Sequence, residues 1–80
     1  MDIERLKTLA VSDSGFIFDP SSGHSFTTNA TGIAILTLLK QQRDAMEIAE
    51  ALIAEYDVSA DDAERDVGEF IDGLKKLSLV

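Results

Sequence analysis

His24-Ser25-Phe26-Thr27-Thr28-Asn29-Ala30-Thr31-Gly32-Ile33-Ala34-Ile35-Leu36 changes its hydrophobic period in mid-course. Up to Thr28 the residues fall on alternating faces of an extended chain. His24, Phe26 and Thr28 share one face, and Ser25 and Thr27 share the other. Beyond Ala30, Ile33, Leu36 and Leu39, with Ile35 and Leu38, recur at helical spacing. Asn29 stands between the two regimes as an N-cap, because its side-chain oxygen can accept from amides that a helix start leaves unpaired. The chain before this switch reads as short strands, and the chain after it as three helices with no further strand. That order predicts an α+β fold: a three-stranded antiparallel sheet followed by a three-helix bundle, winged-helix-like in its proportions.

Upstream, Leu6 to Val11 reads as a first strand with loose alternation. Ser12-Asp13-Ser14-Gly15 is a turn, where glycine tolerates positive φ and the short polar side chains bond to nearby backbone. Phe16-Ile17-Phe18 is a second strand, aromatic and β-branched. Asp19-Pro20-Ser21-Ser22-Gly23 is a second turn, with proline presetting φ. His24 to Thr28 is the third strand. Such short turns imply antiparallel pairing in the order one-two-three. The third strand is then an edge, with one row of backbone groups free.

Downstream, Lys40 to Arg43 ends the first of the three helices. Asp44 and Glu47 form a capping-box pair opening the second, along which Ala45, Ile48, Ala49, Leu52 and Tyr56 repeat at helical spacing. Ser59 caps the third, with Asp61 and Asp62 in its first turn, at the positive end of the helix dipole. Val67, Phe70, Ile71 and Leu74 then fall at i, i+3, i+4 and i+7, and Leu77 extends the stripe. Arg65, Glu69, Asp72 and Lys76 occupy the other side. Asp61–Arg65 and Asp72–Lys76 have the spacing of exposed ion pairs, each contributing only ~0.3–0.5 kcal/mol. Gly68 and Gly73 each cost about 1 kcal/mol relative to alanine inside a helix; two readings stand, room for close approach of another element or mere tolerance.

Eighty residues allow a single domain over 1–80 with one core. An apolar fraction of 45% is too high for disorder, and no apolar run approaches the ~20 residues of a membrane span. The start Met1-Asp2-Ile3-Glu4-Arg5 lacks signal-peptide features, and no cysteine is present. The expected location is cytoplasmic, where the sequon at Asn29 is without meaning. The net charge of −8, from seven basic and fifteen acidic residues, opposes nucleic acid and anionic membranes as partners.

Catalytic chemistry is not expected. His24 is the sole histidine and has no cysteine or second imidazole to share a metal. No Gly-x-Ser-x-Gly elbow and no glycine-rich phosphate loop occurs. No catalytic residue, metal site or cofactor is therefore assigned. Ser14, in Asp13-Ser14-Gly15, resembles a carrier-protein attachment point, but carriers begin a helix at that serine and here a strand follows. A winged-helix-like nucleic-acid or protein interaction module is the alternative reading, opposed for nucleic acid by the acidic third helix.

The order of pieces resembles the PqqD-like proteins, also called RiPP recognition elements. Their pattern runs through a glycine, an apolar strand, an aromatic, Leu-Asn, a small residue, Gly and Ile-Leu. A helix ending near Tyr follows, then Asp-Val-x-x-Phe with a later Leu, then a final apolar pair. Here stand Phe26 to Leu36, Ile48 to Val58 with Tyr56-Asp57-Val58, Asp66-Val67-Gly68-Glu69-Phe70-Ile71-Asp72-Gly73-Leu74, and Leu79-Val80. The resemblance runs from about Leu9 to the end. Val11 to Pro20 looks especially like a subgroup of PqqD-family peptide chaperones associated with an HPr-kinase-like protein. Two positions depart: Thr28 stands where members often have Leu, and Ser78 stands where they often have Gly.

The resemblance implies a non-catalytic peptide chaperone. Such proteins bind the leader of a ribosomally synthesised precursor peptide and present it to a modifying enzyme, such as a radical-SAM or kinase-like protein. The leader adds as a strand beside the third strand and lies against the third helix, a case of β-augmentation. The implied peptide-binding residues are His24, Ser25, Phe26, Thr27 and Thr28 on the strand, and Val67, Phe70, Ile71 and Leu74 on the helix. Part of that helical stripe must also bury itself in the core, so most of Val67, Phe70 and Leu74 is expected there. The free edge also allows pairing with a second copy, so the chain is expected as a monomer or weak dimer.

Overall fold

Helix α1 (Ile3–Lys7) opens the computed structural model, which describes residues 3–77. Strands β1 (Ala10–Val11), β2 (Phe16–Asp19) and β3 (His24–Thr27) follow, and then helices α2 (Ala30–Lys40), α3 (Ala45–Tyr56) and α4 (Ala60–Lys76). The sheet order is β1-β2-β3, antiparallel throughout. The α+β class, the strand order and the change from strand to helix at Thr28 are as the sequence predicts. The first strand is not. Leu6 and Leu9 are both buried, and residues three apart reach the same core on a helical turn but point to opposite faces of a strand. Residues 3–7 are therefore helical, Leu9 N–H reaches Leu6 C=O at 3.2 Å, and only Ala10–Val11 remain for the sheet.

Both turns form from the predicted residues. Ser12 accepts at its hydroxyl from Phe16 N–H (3.1 Å), while Gly15 N–H donates to Ser12 C=O (3.1 Å). In the second turn Gly23 N–H donates to Asp19 C=O at 2.8 Å. The Asp19 carboxylate is buried and fully occupied. It accepts from Ser21 N–H (3.0 Å), the Ser22 hydroxyl (2.9 Å) and Arg5 Nη2 (2.8 Å). Burial works to raise its pKa. The Ser22 and Ser21 hydrogen bonds and the Arg5 guanidinium outweigh that effect and hold it below the ordinary aspartate value. Arg5 and Asp19 thus tie α1 to the β2–β3 turn.

The pairs Ile17↔Phe26 and Val11↔Ile17 give the sheet an inner face packed on the helices. Phe16 and Phe18, with Ala10, Ser25 and Thr27, form the outer face. α2 is central and touches α1, α3 and α4. Ile35, Leu36 and Leu39 of α2, Ile48, Ala49 and Leu52 of α3, and Ala63, Val67 and Leu74 of α4 make the core with Leu6, Leu9 and Ile17. Asn29, Asp44 and Ser59 all cap as expected: their side chains accept from Gly32, Glu47 and Asp62 N–H at 2.9, 2.8 and 3.1 Å. The capping box at Asp44 and Glu47 is complete. The predicted surface pairs differ. Arg65 meets Asp62 (3.2 Å) and Asp66 (3.6 Å) rather than Asp61, because the carboxylates three residues back and one ahead lie nearer its guanidinium. Asp72 and Lys76 form no ion pair, which suits the small gain of an exposed contact.

Candidate functional site

β3 pairs with β2 along one side, and among the described residues no strand lies on its other side. The parity of the ladder tells which groups are free. Thr28 N–H donates to Gly15 C=O at 2.8 Å, so the backbone groups of residues 28, 26 and 24 turn toward β2. Those of Ser25 and Thr27 turn toward the open edge. A chain laid along this edge would find two donors and two acceptors. Its side chains facing the same way as His24, Phe26 and Thr28 would point toward α4.

Between β3 and α4 runs a groove with two connected ends. One is a cavity of about 220 Å³ lined by Phe26, Phe70, Leu74 and Leu77, with Ile17 at its floor and Gly73 at its wall. The other, of about 350 Å³, is lined by Thr28, Asn29, Thr31 and Gly32 together with Asp66, Glu69 and Phe70. Thr28, Glu69 and Phe70 belong to both. α4 supplies one wall through a stripe at 66, 69, 70, 73, 74 and 77, the i, i+3, i+4 rule of one helix face. The N-cap bond from Gly32 to Asn29 and the ladder bond from Thr28 to Gly15 fix the other wall.

Two glycines make that junction possible. Gly15 has φ +95, and a Cβ there would strike Thr28 C=O. At Gly32 a Cβ would overlap the Thr28 hydroxyl and stand 3.1 Å from the Phe70 ring. Gly68 and Gly73, by contrast, have open space around them. Gly73 lines the groove, whereas Gly68 lines a separate cavity beside Ala45 and Met46 of α3.

The nine residues named from the sequence divide. His24, Phe26 and Thr28 share the inner face of β3, with the His24 and Phe26 rings edge to face at 6.5 Å. Ser25 and Thr27 present the free edge. Phe70 is half-buried and lines both ends of the groove, while Leu74 is buried and floors the apolar end. Val67 and Ile71 do not reach the groove. Val67 is 1% exposed and packs where α4 faces Ala45 and Met46 of α3, and Ile71 packs partly buried against the core. Asp66, Glu69, Gly73 and Leu77 also line the groove: the sequence reading takes Leu77 only as an extension of the stripe, and it sets Glu69 on the opposite side of the helix, where the structure instead turns it toward Thr28 beside Phe70. Asp66, Glu69 and Gly73 continue the Phe70/Leu74 face at helical spacing, but a search for apolar stripes passes over carboxylates and glycine. The terminal pair Leu79-Val80 and the departure at Ser78 lie outside the described residues.

Among the described residues no group of histidine, cysteine or carboxylate side chains capable of holding a metal ion occurs, and no helix there is long and apolar enough to cross a membrane.

Similarity to other proteins agrees with this geometry. Two solved structures share the fold. One is a lasso peptide synthetase B1 complexed with the leader peptide, 32% identical, with a TM-score of 0.74 over 85% of this chain and 81% of that one. The other is TbiB1 in complex with the TbiA(beta) leader peptide, 30% identical, with a TM-score of 0.78 over 89% of this chain and 84% of that one. No curated protein matches. The family model for coenzyme PQQ synthesis protein D matches residues 15–80. That match spans β2, β3, α2, α3 and α4, the elements that build the sheet edge and the groove, and the chain belongs to the PqqD family.

Proposed function

We propose that this chain is a leader-peptide chaperone, a single domain over 1–80 that binds the leader of a ribosomally synthesised precursor by β-augmentation and holds it for a modifying enzyme. One observation carries the reading: the unpaired edge of β3, at Ser25 and Thr27, opens directly beside the groove walled by α4. Main-chain hydrogen bonds to an edge give affinity, and pockets for alternate side chains give selectivity. The two solved relatives, each in complex with a leader peptide, support the same role. The peptide-contacting residues are then His24, Ser25, Phe26, Thr27, Thr28, Phe70 and Leu74, joined by Asp66, Glu69, Gly73 and Leu77. Catalysis belongs to the partner enzyme, of radical-SAM or kinase-like type, and the chain works in the cytoplasm beside it.

The test is amide shift mapping on isotope-labelled chain titrated with the leader of a precursor encoded beside it. Shifts concentrated on 24–28 and on the groove face of α4 are expected. Shifts confined to α1 or α3, or no shifts at all, contradict the proposal.

A further inference from the structure

The two ends of the groove differ in chemistry, and the difference specifies an occupant. At the apolar end Phe26, Phe70, Leu74 and Leu77 converge, and Leu77 is 51% exposed. Such surface is stabilised by covering, at roughly 25 cal/mol per Å² removed from water. Two carboxylates overlook the gap between Thr28 and α4: Asp66 at the other end, and Glu69 where the two ends meet. Asp66 is grazed by Arg65 at 3.6 Å, while Glu69 forms no ion pair with any described residue. The N-terminus of α2 also borders this end and favours anions, but it carries only about half a positive charge, and α2 has no acidic residue in its first turn. Arg65 is shared between Asp62 and Asp66 and offsets Asp66 only in part; together with Glu69 the carboxylates outweigh that half charge, so the end is electronegative.

We propose that the groove selects an extended peptide bearing one large apolar side chain and, two or four positions away, a lysine or arginine. This rests on the leader-binding reading and adds the chemistry of the segment recognised. The spacing follows from geometry. Along α4, Glu69 to Leu74 spans five positions and Asp66 to Leu74 eight, or roughly 7.5 and 12 Å at ~1.5 Å per residue. An extended peptide advances ~3.3 Å per residue, so these spans equal about two and four residues. Only alternate side chains face α4, which admits even spacings and excludes odd ones.

Selection from a random dodecapeptide display library against the full chain tests this. The expected pool carries Lys or Arg two or four positions from an apolar residue, and its binding is lost on the edge variant Thr27→Pro. Selection against the doubly reversed variant D66K/E69K should replace the basic residue by Asp or Glu. A wild-type-selected peptide, resynthesised, should bind D66K/E69K about three- to tenfold more weakly, as expected for two partly exposed charge contacts. Glu69→Gln, milder, should weaken it about two- to threefold and serves if the double variant does not fold. A pool sensitive to Thr27→Pro, with an apolar anchor but no basic enrichment, overturns the charge selectivity and leaves the leader-binding reading standing. A pool insensitive to Thr27→Pro, or no enriched pool, overturns both.

Discussion

Thr28 and Gly32 meet so closely that a methyl group on Gly32 would overlap the threonine hydroxyl. The contact joins the end of β3 to the first turn of α2, and the Phe70 ring closes it from α4 at 3.1 Å from the same position. Three elements therefore share one point, and it lies at the middle of the groove.

Gly32→Ala should accordingly displace β3 from α4 as well as strain the fold. Overpacking of this kind costs about 1–3 kcal/mol, which opposes the ~1 kcal/mol that alanine otherwise gains over glycine in a helix. A urea unfolding series should show a net loss, and peptide binding measured on the folded fraction should weaken as well. A more stable Gly32→Ala variant with unaltered binding would mean that the junction is looser than it looks.

The Arg5–Asp19 contact predicts a pH dependence with a definite sign. The Asp19 pKa is held below its ordinary value of 3.8. A depressed carboxylate stabilises the fold above the unfolded-state pKa and loses that contribution as pH falls through the folded-state value. Thermal midpoints should therefore be steady from neutral pH to about 5 and fall below about 4. Asp19→Asn should lower the midpoint at neutral pH and flatten the acid limb. Equal acid limbs in both chains would show that other carboxylates govern the loss.

Core and groove separate at single leucines. Leu52 is 2% exposed and Leu77 is 51% exposed. Leu52→Ala should cost about 2–5 kcal/mol, whereas Leu77→Asp should stay within about 0.5 kcal/mol of the parent. Peptide affinity, measured by fluorescence anisotropy, should respond in the opposite order. Leu77→Asp should weaken binding at least severalfold, and Leu52→Ala should leave the folded fraction's affinity unchanged.

Much of the fold was legible in the sequence because its signals are local. The caps at Asn29, Asp44 and Ser59, and the turns at Gly15 and Gly23, each depend on a few neighbouring residues. The helix at 3–7 was hidden by its brevity: Ile3, Leu6 and Leu9 fall at helical spacing, but so short an apolar pattern also fits a strand. The site was legible in part. Edge strand and helix face follow from order and periodicity, which brought out Phe26, Phe70 and Leu74. The stripe could not divide itself between core and groove, because that depends on where α3 docks. Val67 turns toward α3, and Asp66 and Glu69, one helical step round, turn toward β3.

Thr27→Pro tests the central claim most directly. The Thr27 N–H points to the open edge and takes no part in the β2 ladder, so proline removes a donor offered outward and leaves the sheet its bonds. The variant should unfold at nearly the parent's denaturant midpoint, with the parent's circular dichroism, and should lose leader-peptide binding by tenfold or more. Undiminished binding to a folded Thr27→Pro chain would contradict strand addition at β3.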